Sequence, residues 1–231
     1  APAAVAGRTP PRLSRVDGQA SFWRPGATDW VQAQVNTPLV PGDLLYTGTP
    51  GTIELQIGAR AFVRASSGTQ LGLENHESEF LQFKVTAGRA IFDLRALGPG
   101  HAVEVGTPHA AFTIEHPGYY RVAVSARETS FTTRRSGRAT AVLANGDSVA
   151  ITASEELLVE GVDDPQLRSY AAPPLDEWDR WNYARTDDLL DAVSARYVAP
   201  GTYGVDDLDR YGTWRVVDAY GPVWVPTAVS P

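Results

Sequence analysis

TIELQIG, residues 52–58, is the stretch that decides the fold class. Its Ile53, Leu55 and Ile57 alternate with Glu54 and Gln56, the period of a strand with one face buried and the other wet. The same alternation returns in FLQFKV (80–85) through Leu81, Phe83 and Val85, and in AIFDLRAL (90–97) through Ala90, Phe92, Leu94 and Ala96. AVEV, AFTI, YRVAV, TSFTT, ATAVLANGDSVAITA and ELLVE continue it. From Leu13 to about Val159 this makes about twelve short strands, with turn signals roughly every eight to twelve residues and no helix, the pattern of an all-β sandwich, barrel or β-helix. Asp17-Gly18, between RLSRV and QASFW, and Asn145-Gly146 are the strongest hairpin signals.

The character changes after Gly161. Residues 162–174, which contain DDPQLRSYAAPP, read as a proline-bearing linker. PLDEWDRWNYARTDDLLDAVSARYV then carries proline and acids at its start, Leu189, Leu190, Val193 and Tyr197 at helical spacing, and Arg196 near its end. That spacing predicts a helix. Thr186, followed by Asp187 and Asp188, offers a cap for a second helix after a break near Arg185, so one or two helices are expected. Past Pro200 and Gly201 come two Tyr-Gly units, YGTW (211–214) and YGPVW (220–224), read as turns and short extended pieces.

Composition narrows the class. At 231 residues and 24.9 kDa the chain has room for one large β domain, or for one of about 150 residues with a smaller appendage. With 43% hydrophobic and 20% charged residues it matches neither a disordered nor a membrane protein. No run approaches the roughly eighteen apolar residues of a membrane-spanning helix. There is no cysteine, which excludes disulfides, thiol catalysis and thiolate metal sites. The chain starts APAAVAG and contains no Met; small residues of this kind follow a signal-peptidase cut, and export is the expectation. Residues 162–231 hold twelve acids against six arginines, a net of −6 out of −7 for the chain. Such a segment repels phosphate backbones, and the remainder has no basic stripe, so nucleic acid is not an expected partner.

Candidate chemistry is sparse. No Gly-x-Ser-x-Gly elbow is present, and His76, His101, His109 and His116 are scattered, more in keeping with structural or solvated roles than with catalysis. His109 and His116 lie at opposite ends of one strand, too far apart for a two-ligand clasp on one element. Asp206, Asp207 and Asp209 lack the Asp-x-Asp-x-Asp-Gly loop and trailing Glu of a calcium site and read as solvated turn carboxylates. Chain spacing identifies no carboxylate pair for glycoside hydrolysis. The expectation is a non-enzymatic protein without metal or cofactor.

Tyr211, Trp214, Tyr220 and Trp224 have two readings. As a platform, they would stack on sugar rings or grip a proline-rich peptide with flat, entropically cheap faces. As a core, each glycine would allow a turn that folds its tyrosine and tryptophan inward, against VVDAY and VWVP. The structural reading is favoured.

The runs VDGQASFW, NTPLVPGDLLYTG, GTIELQIGARAFVRASSGTQLGL, FLQFKVTAGRAIFDL, AVEVGTPHAAFTI and ANGDSVAITASEELLV together resemble the FecR domain family, in the order that family keeps, over roughly residues 12–161. One landmark departs: HPGYYRVAV stands where the family has Gly-Thr-x-Phe-x-Val. The tail from LDEWDRW to YGPVWVP is similar to an extension with repeated Tyr-Gly-x-Trp units found after FecR domains in exported bacterial proteins, where the repeats usually continue for further copies. The resemblance implies a mainly β, multi-stranded domain, sandwich or β-helix-like, over 12–161. A flexible segment (1–11) precedes it, and a linker (162–174) and a helical, aromatic-rich appendage (175–231) follow. It also implies a periplasmic location and a non-enzymatic role. The name-giving member senses a receptor and signals through a transmembrane helix to a sigma-factor-binding segment; neither is visible here, so that role does not carry over intact. What the resemblance leaves is an envelope module that binds a protein partner or self-associates, not integral to the membrane. Its rival is a carbohydrate or peptidoglycan binder using the C-terminal aromatics.

Overall fold

The computed structural model describes residues 9–199 and 202–227. The small-residue start, most of the expected flexible segment, the Pro200-Gly201 break and the last four residues lie outside them. The chain divides into two compact units, Ala1–Pro174 and Leu175–Pro231.

The first unit is built from β1 (Arg12–Trp23), β2 (Val31–Gln32), β3 (Leu44–Gly58), β4 (Ala61–Ala65), β5 (Gln70–His76), β6 (Phe80–Leu94), β7 (Ala102–Gly106), β8 (Ala110–Ile114), β9 (Gly118–Val124), β10 (Glu128–Arg134), β11 (Ala139–Leu143), β12 (Ser148–Ile151), β13 (Glu155–Glu160) and β14 (Gln166–Ala171). The protein is mainly β, as its alternation predicts. The registers divide these strands into two layers that share the three long ones. One layer runs β12, β11, β8, β7, the first half of β6, β5, the first half of β3, the second half of β1, β2. The other runs from the first half of β1 through the second half of β3, β4, the second half of β6, β9, β10 and β13 to β14.

The bends that join the layers follow from geometry. Phe83 and Phe92 both lie on β6, nine residues apart, and would sit about 30 Å from each other on a straight strand. Their rings are instead 5.6 Å apart, edge to face, so β6 doubles back between them, at Gly88 (φ 83). The same bend explains the one parallel pairing among the described residues, β6 with β7: the second half of β6 serves as the crossover that a parallel neighbour requires. Across the two layers Phe112 of β8 stacks on Phe131 of β10 at 4.3 Å. Leu55, Leu73, Leu81, Val105, Ile114 and Val122 fill the space between with no more than 1% exposure.

Several expectations are corrected here. Asp17-Gly18 is no hairpin turn: β1 runs straight through it, and Gly18 (φ 72) marks the register shift where β1 bends with β3. A Cβ there would lie 2.5 Å from the Pro50 carbonyl oxygen. Asn145-Gly146 does close a hairpin, β11 to β12, with Gly146 N donating to Leu143 O at 3.0 Å. Ala96 lies beyond the end of β6 and is exposed. The polar face of TIELQIG is not wet, since Glu54 and Gln56 are buried, as are Arg64, Ile91 and Asp93 on the same side of β4 and β6. Charge there is matched rather than hydrated: Arg64 Nε donates to Glu54 Oε2 at 2.7 Å, and Arg95 Nε to Asp93 Oδ1 at 2.7 Å. Finally, the expected linker contains β14, in full antiparallel register with β13.

HPGYYRVAV, the segment that departs from the FecR landmark, forms β9 and supplies a corner. The buried Tyr120 hydroxyl donates to His116 O at 2.7 Å and accepts from Arg138 N at 3.1 Å. Burial pushes this phenol up to about 12 from 10.0, the backbone hydrogen bond at Arg138 working against it. It is thus neutral in the folded chain where the unfolded chain would begin to ionise it. Its contribution to stability is complete below pH 10 and is lost as the pH rises toward 12. Tyr120→Phe is expected to cost about 1–3 kcal/mol in urea unfolding at neutral pH, because the His116 carbonyl and the Arg138 N–H lose the partner that the buried hydroxyl gives them. The variant should also lose part of the alkaline decline.

The second unit contains α1 (Glu177–Leu190), a 3-10 turn (Val193–Arg196), α2 (Val205–Tyr211) and the hairpin β15 (Gly212–Val217) with β16 (Gly221–Pro226). Asp176 opens α1 with a capping box to Asp179. The helix continues through Arg185, so Thr186 is a buried residue within α1 rather than the start of a second helix. Val193 and Tyr197 fall outside α1 and are exposed. Among the described residues no helix is long and apolar enough to cross a membrane.

Candidate functional site

The hairpin brings Trp214 and Trp224 directly opposite each other, and it separates the four predicted aromatics into two kinds. The tryptophans are half-buried. Trp214 stacks on Tyr197 at 4.5 Å and donates from Nε1 to Ser194 Oγ at 2.7 Å. Trp224 Nε1 donates to Leu208 O at 2.9 Å. Both rings therefore tie the hairpin to the turn and helix before it. Tyr211 and Tyr220 point outward, 54% and 82% exposed.

The two Tyr-Gly units look alike in sequence, yet their glycines do different things. Gly221 (φ 74) closes the loop in the left-handed region, with Tyr220 N donating to Val217 O, which leaves Tyr220 at the tip. Gly212 is extended and matters for its missing side chain, because a Cβ would lie 2.4 Å from the Trp224 indole. Trp224→Ala is expected to cost about 2–3 kcal/mol, read as an earlier loss of near-UV dichroism on heating. Tyr220→Ala should change stability by less than about 0.5 kcal/mol.

Asp206, Asp207 and Asp209 belong to α2 rather than to a turn. Asp209 caps the 3-10 turn at a distance in sequence: it accepts from Val193 N at 2.6 Å, from Ser194 N at 2.9 Å and from the Ser194 hydroxyl. Asp206 lies 3.6 Å from Arg185. The histidines are spread over the ends of strands and turns, and buried His109 holds Thr129 Oγ1 at 2.9 Å through Nδ1. Among the described residues no group of three or more acids and histidines is arranged to hold a metal.

The strand that sequence reading assigns to linker is an edge. Among the described residues the two layers end in β2, β12 and β14, each paired on one side only, and in the first half of β1, where Leu13 N donates to Thr37 O and Asn36 N to Leu13 O outside the ladder. The first has two residues and the second four; β14 has six, all exposed. Its outward groups follow from the ladder. Gly161 N donates to Arg127 O, so the odd-numbered residues of β13 face β10 and the even-numbered ones face β14. Ala172 N donates to Ser154 O, in agreement. The main-chain N–H and C=O of Gln166, Arg168 and Tyr170 are thereby used by β13, and those of Leu167, Ser169 and Ala171 point away from the sheet. Leu167 and Ser169 sit opposite the buried Val159 and Leu157, so their side chains continue the inner face of the layer past the limit of the core. Arg168 pairs with Glu160 on the other face. The signal that could have found the strand was QLRSYA bracketed by Pro165 and Pro173.

No family model matches the chain, and no curated protein matches it. Among solved structures it is similar to two crystal structures, at 2.50 and 1.65 Å, of a "putative anti-sigma factor" from Parabacteroides distasonis ATCC 8503. The identities are 12% and 11%, each with a TM-score of 0.48 over 55% of this chain and 59% of the other. The match thus spans less than two thirds of those chains.

Proposed function

We propose that this chain is an exported, FecR-like β module of the bacterial envelope that acts without catalysis, by binding protein in a sensing or scaffolding role, and that β14 is where an extended segment adds. The observation that carries this reading is the exposed six-residue edge, with the main-chain groups of Leu167, Ser169 and Ala171 aimed outward. Such an edge is a template for a further strand. Each main-chain hydrogen bond formed there adds about 0.5–1.5 kcal/mol, so binding needs little from side chains. Export and the envelope setting rest on the FecR-like order of landmarks.

Cross-linking capture of the tagged chain from its native envelope tests the reading, with Ser169→Pro run in parallel. Proline removes an outward N–H and the Ser169 hydroxyl that bonds the Glu155 carboxylate, and it leaves the β13 ladder whole, so the fold is kept. One protein recovered near stoichiometrically with the parent, and at least about tenfold less with Ser169→Pro, is the expected result. Equal recovery with both chains contradicts it, and so does retention on the glycan fraction alone.

A further inference from the structure

The occupant of the β14 edge is, we infer, β14 of a second copy of this chain, paired antiparallel about a two-fold axis at Ser169. The inference rests on the interaction reading above and names the partner.

The register follows from residues on and beside the strand. An added antiparallel strand must set its own outward-facing residues against Leu167, Ser169 and Ala171. Centred on Ser169, the pairing sets Leu167 against Ala171 of the second copy, Ser169 against Ser169, and Ala171 against Leu167. All three outward residues are then hydrogen-bonded, each pair exchanging two bonds. Neighbouring registers fail at the prolines. Centred on Arg168, Ala171 would oppose Pro165, which has no N–H to give, and two guanidinium groups would stand directly opposite. Centred on Tyr170, Leu167 would oppose Pro173. Pro165 and Pro173 are equidistant from Ser169, so in the favoured register they meet only each other, just past the last bonded pair.

The side chains agree with that register. On the inner face a large residue meets a small one, Leu167 with Ala171, on either side of the serine pair. On the outer face Arg168, held by its own Tyr170 and by the Glu160 carboxylate, stands opposite Tyr170 of the second copy rather than opposite another cation. The outcome is one sheet layer running through two molecules.

The absence of cysteine gives a clean test. In the full chain, single variants Ser169→Cys and Leu167→Cys are oxidised mildly and run on non-reducing gels, while sedimentation measures self-association of the parent and of Ser169→Pro. Opposed hydrogen-bonded residues lie about 5.5 Å apart at Cα, within disulfide reach, whereas the two Leu167 positions are offset by four residues, about 13 Å. The expected result is a covalent dimer for Ser169→Cys and not for Leu167→Cys, with a dimer dissociation constant at least about tenfold weaker for Ser169→Pro at unchanged thermal unfolding. A parent that stays monomeric at every concentration overturns the inference, as does equal cross-linking at both positions. If that monomer still loses its envelope partner on Ser169→Pro, self-pairing is wrong and the interaction reading stands; if capture ignores Ser169, both are wrong.

Discussion

Arg64→Ala is expected to lower the unfolding free energy by about 3–5 kcal/mol, because it leaves the Glu54 carboxylate charged and out of water. The two side chains are each 1% exposed and lie opposite each other on β3 and β4, 2.7 Å from Nε to Oε2. For a domain of this size the loss corresponds to a drop of about 10 °C in Tm. Replacing the pair together, Glu54→Leu with Arg64→Met, should recover most of it, since the burial cost of two charges disappears with their attraction. Ser14 Oγ, which donates to Glu54 Oε1 at 2.9 Å, still has the Glu54 carbonyl at 3.1 Å in the double variant. Urea unfolding of the single and double variants decides the point. Equal losses for Arg64→Ala and the double variant would show that the site is hydrated.

Gly88→Val should cost at least about 4 kcal/mol, the second large effect, because two penalties coincide at the bend of β6. The backbone there is left-handed (φ 83), and a Cβ would lie 2.5 Å from Thr69 Cα and 2.6 Å from Gly68 O. Thr69 cannot move aside cheaply. Its buried hydroxyl donates to Ser66 O at 2.6 Å and accepts from Arg89 N at 2.9 Å, fastening the bend from both sides. Gly68→Ala is the control: it has a similar φ of 72 but open space around it, so only the backbone term of about 1–2 kcal/mol applies. A small loss for Gly88→Val would mean that β6 does not double back.

What the sequence made legible was the inside of the sandwich. Leu81, Phe83 and Val85, or Phe92 and Leu94, alternate because one side of each strand meets the core, and the order of strands could be read from that period. The bends could not. A glycine after an aspartate reads as a turn whether the chain reverses there or two strands cross at close range, and Gly18 does the latter. Nor does polarity report water: Glu54, Arg64 and Asp93 are buried with partners that chain spacing does not reveal. β14 reads as linker because neither of its faces is buried, so no alternation exists to read. In the second unit the Tyr-Gly-x-Trp spacing located the aromatics. The division of labour between inward tryptophans and outward tyrosines depends on Ser194 and Leu208, residues that sequence analysis gave no reason to select. α2 is hidden because Gly204 opens it without a side-chain cap and it runs for only seven residues.

Whether the chain acts through main-chain pairing at β14 is tested most directly by residue-resolved amide hydrogen exchange over Gln166–Ala171. The measurement is made on dilute, isolated protein and again at high concentration or with solubilised native envelope. Arg168 and Tyr170 donate to β13 and should be protected in every sample. Leu167, Ser169 and Ala171 should exchange freely in the dilute chain and become protected together when the edge is occupied. Fast exchange at these three amides in a sample where the chain holds a partner would contradict the edge as the binding site.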